Sequence, residues 1–323
     1  AFAPVLEYRF DELIWYGTAG ELIDSSINSL NGQSVGGTLS EDAQLCTGAT
    51  FDGVNDHFVV PPISTDFSSG FSAMAWVDFG STNKWERIFD FGNGAANNNI
   101  LFTRKGTSNQ LLFEIFNASA SCGKIQANDG IVSGRHHYAV AVASDNTVVL
   151  YRDGAAIKSG TTACLPPNVT RNINYIGRSN WNNEYFESEI DELKVFDSTL
   201  TATNISNIYN NENTGNNYDG TARTCPTPDV NHYRIEHDTQ GFTCEAEAMT
   251  IKACANEDCS DPYTDPVSIT LSPSGWSGGN TITFENDQGG LTKTLSVTNA
   301  GSITLTKTIA IPNADLRCFN GST

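Results

Sequence analysis

Between Phe186 and Phe196 the chain alternates polar and apolar residues, with Glu192, Leu193, Lys194 and Val195 in strict succession. A period of two places one face on a core and the other in water, the pattern of a half-buried strand. The same grammar recurs at residues 5–10, 71–79, 87–91, 100–102 and 111–116, with glycine turns between the segments. Residues 136–142 and 148–151 predict a hairpin turning at Asp145-Asn146, followed by an Arg152-Asp153-Gly154 turn. Such a chain can only bury its apolar faces by stacking sheets. A single helical segment is expected at 202–209, opened by Ser198-Thr199-Leu200-Thr201.

From Gly215 to Asp229 the alternation dissolves into Asn, Gly, Thr and Pro, which reads as a linker between a domain at 1–214 and another at 230–323. Short strand segments near 233–236, 244–253, 267–271, 281–284, 291–297 and 302–311 predict a small antiparallel β-sandwich of immunoglobulin-like size in the second domain. The fold class is therefore all-β.

Charge narrows the partners. With 37 acidic against 18 basic residues the chain carries a net charge of -19, which repels nucleic acid. No apolar run reaches the length of a membrane span. The eight cysteines contain no CxxC pair and no histidine at zinc-finger spacing, which favours disulfides and an oxidising compartment. Proximity suggests Cys254 with Cys259, Cys122 with Cys164, Cys46 with Cys225 and Cys244 with Cys318. The start, Ala1-Phe2-Ala3-Pro4, has no charged or apolar leader, so any secretion signal is expected to lie outside this chain. The sequons at Asn117, Asn168 and Asn204 are expected by chance in a chain this rich in Asn, Ser and Thr.

The order of Tyr8-Arg9-Phe10, Asp24-Ser25-Ser26, Phe51-Asp52-Gly53, residues 71–76 and 85–89, His136-His137-Tyr138-Ala139-Val140, Leu150-Tyr151-Arg152-Asp153-Gly154, Ile176-Gly177-Arg178 and Ile190-Asp191-Glu192 resembles the LamG-like jelly roll of the concanavalin A-like lectin/glucanase superfamily. Two curved antiparallel sheets are implied. Residues 229–323, with Tyr233-Arg234-Ile235-Glu236-His237-Asp238, Cys244-Glu245-Ala246-Glu247 and Thr250-Ile251-Lys252-Ala253-Cys254, resemble the segment that follows such a domain in the MshQ family. Those are surface proteins encoded with the bacterial mannose-sensitive haemagglutinin pilus, so the resemblance implies a Gram-negative envelope or pilus protein. A full-length relative is expected to continue beyond Thr323.

Several residues are candidates for chemistry. Glu189-Ile190-Asp191 is similar to the paired carboxylates of β-glucanases of this fold, but those need a further Glu where Leu193 and Lys194 stand. Asp191 reads better as a calcium ligand. In a jelly roll the first and last strands are neighbours, so the Asp24–Asn28 loop can face Asp191, and calcium takes about six to eight oxygens. The resemblance implies Asp24, Asn28 and Asp191 as the ligands of a structural Ca²⁺. The alternative is a turn-capping Asp24 and a solvated Asp191. His136 and His137 lie at a strand entry, one of them expected in the core with a backbone partner, and His57 reads as surface.

Ligand contact is expected in loops, above all Asn180-Trp181-Asn182-Asn183-Glu184-Tyr185, where two aromatics stand among amides suited to a sugar ring and its hydroxyls. Trp181, Asn182, Asn183 and Tyr185 are the binding candidates, and the competing reading is a packed loop whose Trp181 shields the sheet edge. Trp85 within Lys84-Trp85-Glu86-Arg87, and the run Asn97-Asn98-Asn99, come second. The expectation is a non-enzymatic extracellular adhesin fragment that binds a glycan or surface polymer. The alternatives are a pilus-assembly component contacting pilin subunits and, third, a glucanase-type glycoside hydrolase.

Overall fold

A computed structural model describes residues 2–12, 15–80, 82–226, 230–237, 246–264, 267–284, 290–296, 304–311 and 314–320. The chain divides into two units, Ala1–Pro226 and Thr227–Thr323.

In the first unit the alternating segments become β1 (Leu6–Tyr8), β2 (Gln33–Val35), β3 (Leu39–Asp42), β4 (Thr47–Asp52), β5 (His57–Val60), β6 (Phe71–Phe79), β7 (Arg87–Gly92), β8 (Ile100–Arg104), β9 (Leu111–Asn117), β10 (Ala120–Ala127), β11 (Arg135–Val142), β12 (Thr147–Arg152), β13 (Ala155–Thr161), β14 (Ile173–Ile176) and β15 (Glu187–Phe196). One sheet runs β13-β12-β11-β6-β15-β4-β3, with β1 added on β15, and the other runs β10-β9-β8-β7-β14-β5-β2. Tyr8 pairs with Leu193, so the first strand does lie against the last. Between the sheets Phe58 meets Phe10 at 5.4 Å and Phe51 at 5.8 Å between ring centroids. Truncating such a buried ring to alanine costs about 3–5 kcal/mol.

The last strand departs from the alternating expectation. Ile190, Leu193 and Val195 enter the main core, but Glu192 and Lys194, expected in water, are also buried. The register against β6 shifts between Asp191 and Lys194, and Glu192 takes φ 52°. Helix α1 (Ala202–Asn213) covers this face, placing Ile205, Ile208 and Glu212 inward. Thr201 caps it, accepting from the Asn204 backbone N–H while Asn204 reaches back to Thr201. That exchange satisfies two of the otherwise orphaned donors of a helix start.

Charges buried beneath the helix are paired, as burial demands. Lys194 Nζ lies 2.5 Å from Glu192 and 2.7 Å from Glu212, while Arg223 lies 2.5 Å from Glu192 and 2.7 Å from Asp11. Residues 215–226 have the composition of a linker, yet they are fastened to the first unit by Arg223 and by the Cys46–Cys225 disulfide. Composition alone does not report such long-range bonds. Cys122–Cys164 and Cys254–Cys259 are the further disulfides among the described residues. Cys244 lies outside them, so its expected pairing with Cys318, an exposed cysteine, does too.

The second unit contains β16 (His232–His237), β17 (Glu247–Cys254), β18 (Val267–Ser272), β19 (Thr281–Phe284), β20 (Gly290–Leu295), β21 (Thr306–Ile311) and β22 (Asp315–Asn320). Its sheets run β20-β17-β16-β22 and β19-β18-β21, and Tyr233, Ile251, Ile269 and Phe284 share the core between them. β22 carries no alternating signal strong enough to be read from sequence, and it pairs parallel to β16 in a sandwich expected to be antiparallel. No helix of the described residues is long and apolar enough to cross a membrane.

Candidate functional site

The turn from β14 into β15 builds a closed loop over residues 177–186. Its base is tied where Phe186 N–H donates to the Gly177 carbonyl at 2.9 Å. Gly177 has φ 77°, and a Cβ there would stand 2.6 Å from the Phe51 ring, so only glycine allows β14 to turn this close to the core.

A buried carboxylate pins the loop across β7. Asp90 accepts from the Asn180 backbone N–H at 3.0 Å, from Asn180 Nδ2 at 3.0 Å and from Asn99 Nδ2 at 2.8 Å. Beside it, the Arg87 guanidinium lies 5.7 Å from the centre of the Trp181 ring, and Phe116 meets that ring at 5.5 Å. Trp181 is thus half-buried, partly a packing residue. Asn182 is exposed, and Asn183 folds back to Ser179 Oγ at 3.0 Å. Glu184 accepts from the Lys84 backbone N–H, and the Tyr185 carbonyl accepts from Asn83 Nδ2 at 3.3 Å. Those bonds bring residues 82–87 alongside, with Trp85 half-buried at φ 62°. The two loops proposed from sequence therefore meet. Asn99, by contrast, is fully buried under Asp90 and has a structural role.

The other end of the loop holds residues that sequence reasoning passed over. Arg178 lies over Tyr175 at 4.6 Å and Tyr185 at 5.8 Å, and its Nη1 donates to His57 Nε2 at 3.2 Å. His57 is not surface but buried, with Nδ1 donating to the Asn55 carbonyl at 2.8 Å. Burial, with the Arg178 charge opposing protonation, holds its imidazole below the ordinary histidine range, consistent with a neutral ring that accepts from arginine. The Ile176-Gly177-Arg178 motif was the available signal, but it revealed nothing of the long-range meeting with His57.

The implied calcium ligands are placed differently. Asp24 accepts from the backbone N–H groups of Glu7, Ser26 and Leu30 and from Ser26 Oγ, all at 2.8–2.9 Å. Asn28 turns its Nδ2 to the Val5 carbonyl at 2.8 Å. Asp191 is fully buried, accepting from Leu45 N–H at 3.0 Å and Glu192 N–H at 2.7 Å. Burial first, then the Glu192 charge, pushes its carboxyl well above the ordinary range. The carboxylate oxygens of Asp24 and Asp191 are already engaged by N–H donors of the fold and do not fit a calcium cage. Asp24 instead fastens the 24–30 turn to β1.

Glu189 is bound on both oxygens by Arg135. His136 bonds Asp153 at 2.7 Å, while His137 is fully buried edge-on to Trp76 at 5.5 Å. Its ring nitrogens find no hydrogen-bond partner among the described residues, contrary to the expected backbone contact.

Residues 52–206 match the family model of the concanavalin A-like lectin/glucanases superfamily, and residues 230–313 match a domain of unknown function, DUF8613. No curated protein matches the chain. Among solved structures, the chain is similar to domain 4 of AbnA, a GH43 extracellular arabinanase from Geobacillus stearothermophilus, in complex with arabinotriose. The identity is 18% over 64% of this chain and 97% of that one, with a TM-score of 0.51. The binding domain of botulinum neurotoxin serotype D aligns at 10% identity over 93% of this chain and 80% of that one, with a TM-score of 0.52. A structure of botulinum neurotoxin type C, whose cell entry is dependent upon interaction with two ganglioside molecules, aligns at 10% identity over 88% and 79%, with a TM-score of 0.50. These likenesses concern the fold.

Proposed function

A concanavalin A-like domain occupies the first unit, and from this premise we propose that the chain is a non-catalytic carbohydrate-binding protein of the cell exterior, an adhesin fragment whose ligand sits on the 177–186 loop. The observation that carries the reading is the loop itself. It is pinned by Asp90 and Lys84, and it presents Trp181, Asn182 and Tyr185 at least partly to solvent. A fixed aromatic edge among amides suits stacking on a sugar and bonding its hydroxyls at low entropic cost. Similar structures that bind arabinotriose or depend on gangliosides lend support. Support for a non-catalytic role comes from the carboxylates of β15, since Glu189 is held by Arg135 and Asp191 is buried. The three disulfides among the described residues fit an oxidising compartment. A pilus-associated, MshQ-like setting rests on the motifs of residues 229–323.

A glycan array tests this reading. Wild-type signal that is lost in Trp181→Ala, with the melting midpoint held within a few degrees, is the expected result; a wild type that binds no glycan would refute it.

A second reading is contact with protein, such as pilin subunits. It is favoured by apolar side chains left in water near the sheet edges formed by β2 and β3, among them Leu39 (58% exposed) and Val54 (72% exposed). Pull-down of pilin subunits without any sugar binding would select it.

A further inference from the structure

Arg178 stands apart from the other arginines of the chain. Most of them pair with a carboxylate, among them Arg87, Arg104, Arg135 and Arg223. Arg152 and Arg171 donate to backbone carbonyls. Arg178 is half-buried and has no carboxylate within ion-pair distance among the described residues, in a chain of net charge -19. Its hydrogen bond among the described residues runs to the His57 ring, which occupies one of the five guanidinium N–H groups.

Position is fixed by aromatic neighbours. The guanidinium lies over Tyr175 and Tyr185, and the His57 ring lies 5.6 Å from each of the two tyrosine rings. The two tyrosine rings meet the cation and His57 takes one edge, and no further hydrogen bond of the guanidinium is found among the described residues. Glu184, the nearest acid on the loop in sequence to Tyr185, is turned away to the Lys84 N–H.

We infer that Arg178, framed by Tyr175, Tyr185 and His57, is an oxyanion subsite that makes the ligand of the 177–186 loop an acidic glycan. Planar carboxylate groups match the guanidinium fork bidentately, and a sulfate ester offers the same oxygen spacing. The flanking tyrosines supply ring faces for the sugar that carries the anion. This inference rests on the carbohydrate-binding reading and adds the chemical class of the sugar.

The test is titration calorimetry of the whole chain with oligogalacturonate, with its methyl-esterified, uncharged counterpart, with a sulfated galactan oligosaccharide and with a neutral arabinan oligosaccharide. The expected result is binding of at least one anionic sugar about tenfold or more tighter than its uncharged counterpart, a preference lost in Arg178→Gln and only partly kept in Arg178→Lys. Which anionic arm binds separates a carboxylated from a sulfated ligand. Should Arg178→Gln fail to fold, the wild type alone decides, because a guanidinium that holds an anion must prefer the free acid to its uncharged methyl ester. Equal affinity for free acid and ester, or binding of neutral sugars untouched by Arg178→Gln, overturns the inference while leaving the lectin reading standing. A chain that binds none of these sugars, and none on the array, overturns both.

Discussion

The Trp76 indole N–H donates to Glu212 Oε2 at 2.8 Å, joining the middle of a central strand to the end of the covering helix. Both side chains are buried, and Tyr209 stacks on the same indole at 5.5 Å. With the covering helix, the bond closes the outer face of the β6–β15 sheet.

Replacing Glu212 with alanine leaves the Trp76 N–H without its acceptor and removes one of two carboxylates from Lys194. Breaking a buried pair from one side costs about 3–5 kcal/mol. Urea unfolding of the first transition should show a loss in that range, and Trp76→Phe a smaller one. A change below 1 kcal/mol, on the order of a surface pair, would mean that this face is solvated.

His137 makes stability depend on pH in a known direction. Burial, with the Lys194 charge second, pushes its imidazole down to about 3 from the ordinary 6.5. Below pH 6.5 the unfolded chain takes up a proton that the native site refuses, so this site costs stability as pH falls from 6.5 toward 3. The slope is about 1.4 kcal/mol per pH unit, or about 2 kcal/mol at pH 5. His137→Phe keeps the ring beside Trp76 and removes the titration. Its advantage over wild type in melting midpoint should therefore widen from pH 8 to pH 5. Parallel curves would show that His137 already carries a proton or a partner.

How much of this was legible in the sequence depends on the range of the interaction. Alternation located most strands, and Ser198-Thr199-Leu200-Thr201 marked where the helix starts, because those signals are local. Alternation failed at Glu192 and Lys194, since the cover over them comes from Glu212 and Arg223, distant in sequence. The composition of residues 215–226 concealed their attachment through Cys225. At the candidate site, Trp181 and Tyr185 stood out as aromatics among amides, whereas Arg178 and His57 acquire meaning only when β5 is laid beside β14.

The Cys46–Cys225 bond holds residues 215–226 against the first unit. Converting both cysteines to serine should lower stability by about 2–4 kcal/mol and speed amide exchange in that stretch. Unchanged exchange there would show that Arg223 suffices as the anchor.

Asp24 already receives its hydrogen bonds from within the fold. The melting midpoint of the first unit should consequently be the same in calcium and in chelator. A rise in calcium that disappears in Asp24→Asn would restore the metal site. Without calcium, Asp24→Asn is expected to loosen the 24–30 turn through loss of charge-assisted bonds, about 1.5–3 kcal/mol.

The account turns on where a sugar sits, and hydrogen–deuterium exchange with and without a glycan selected on the array locates it most directly. Protection should concentrate in residues 177–186 and 82–87, with a smaller effect at His57. Protection confined to the β2 and β3 edges, or to the face beneath the helix, would contradict the assignment of the ligand to this loop.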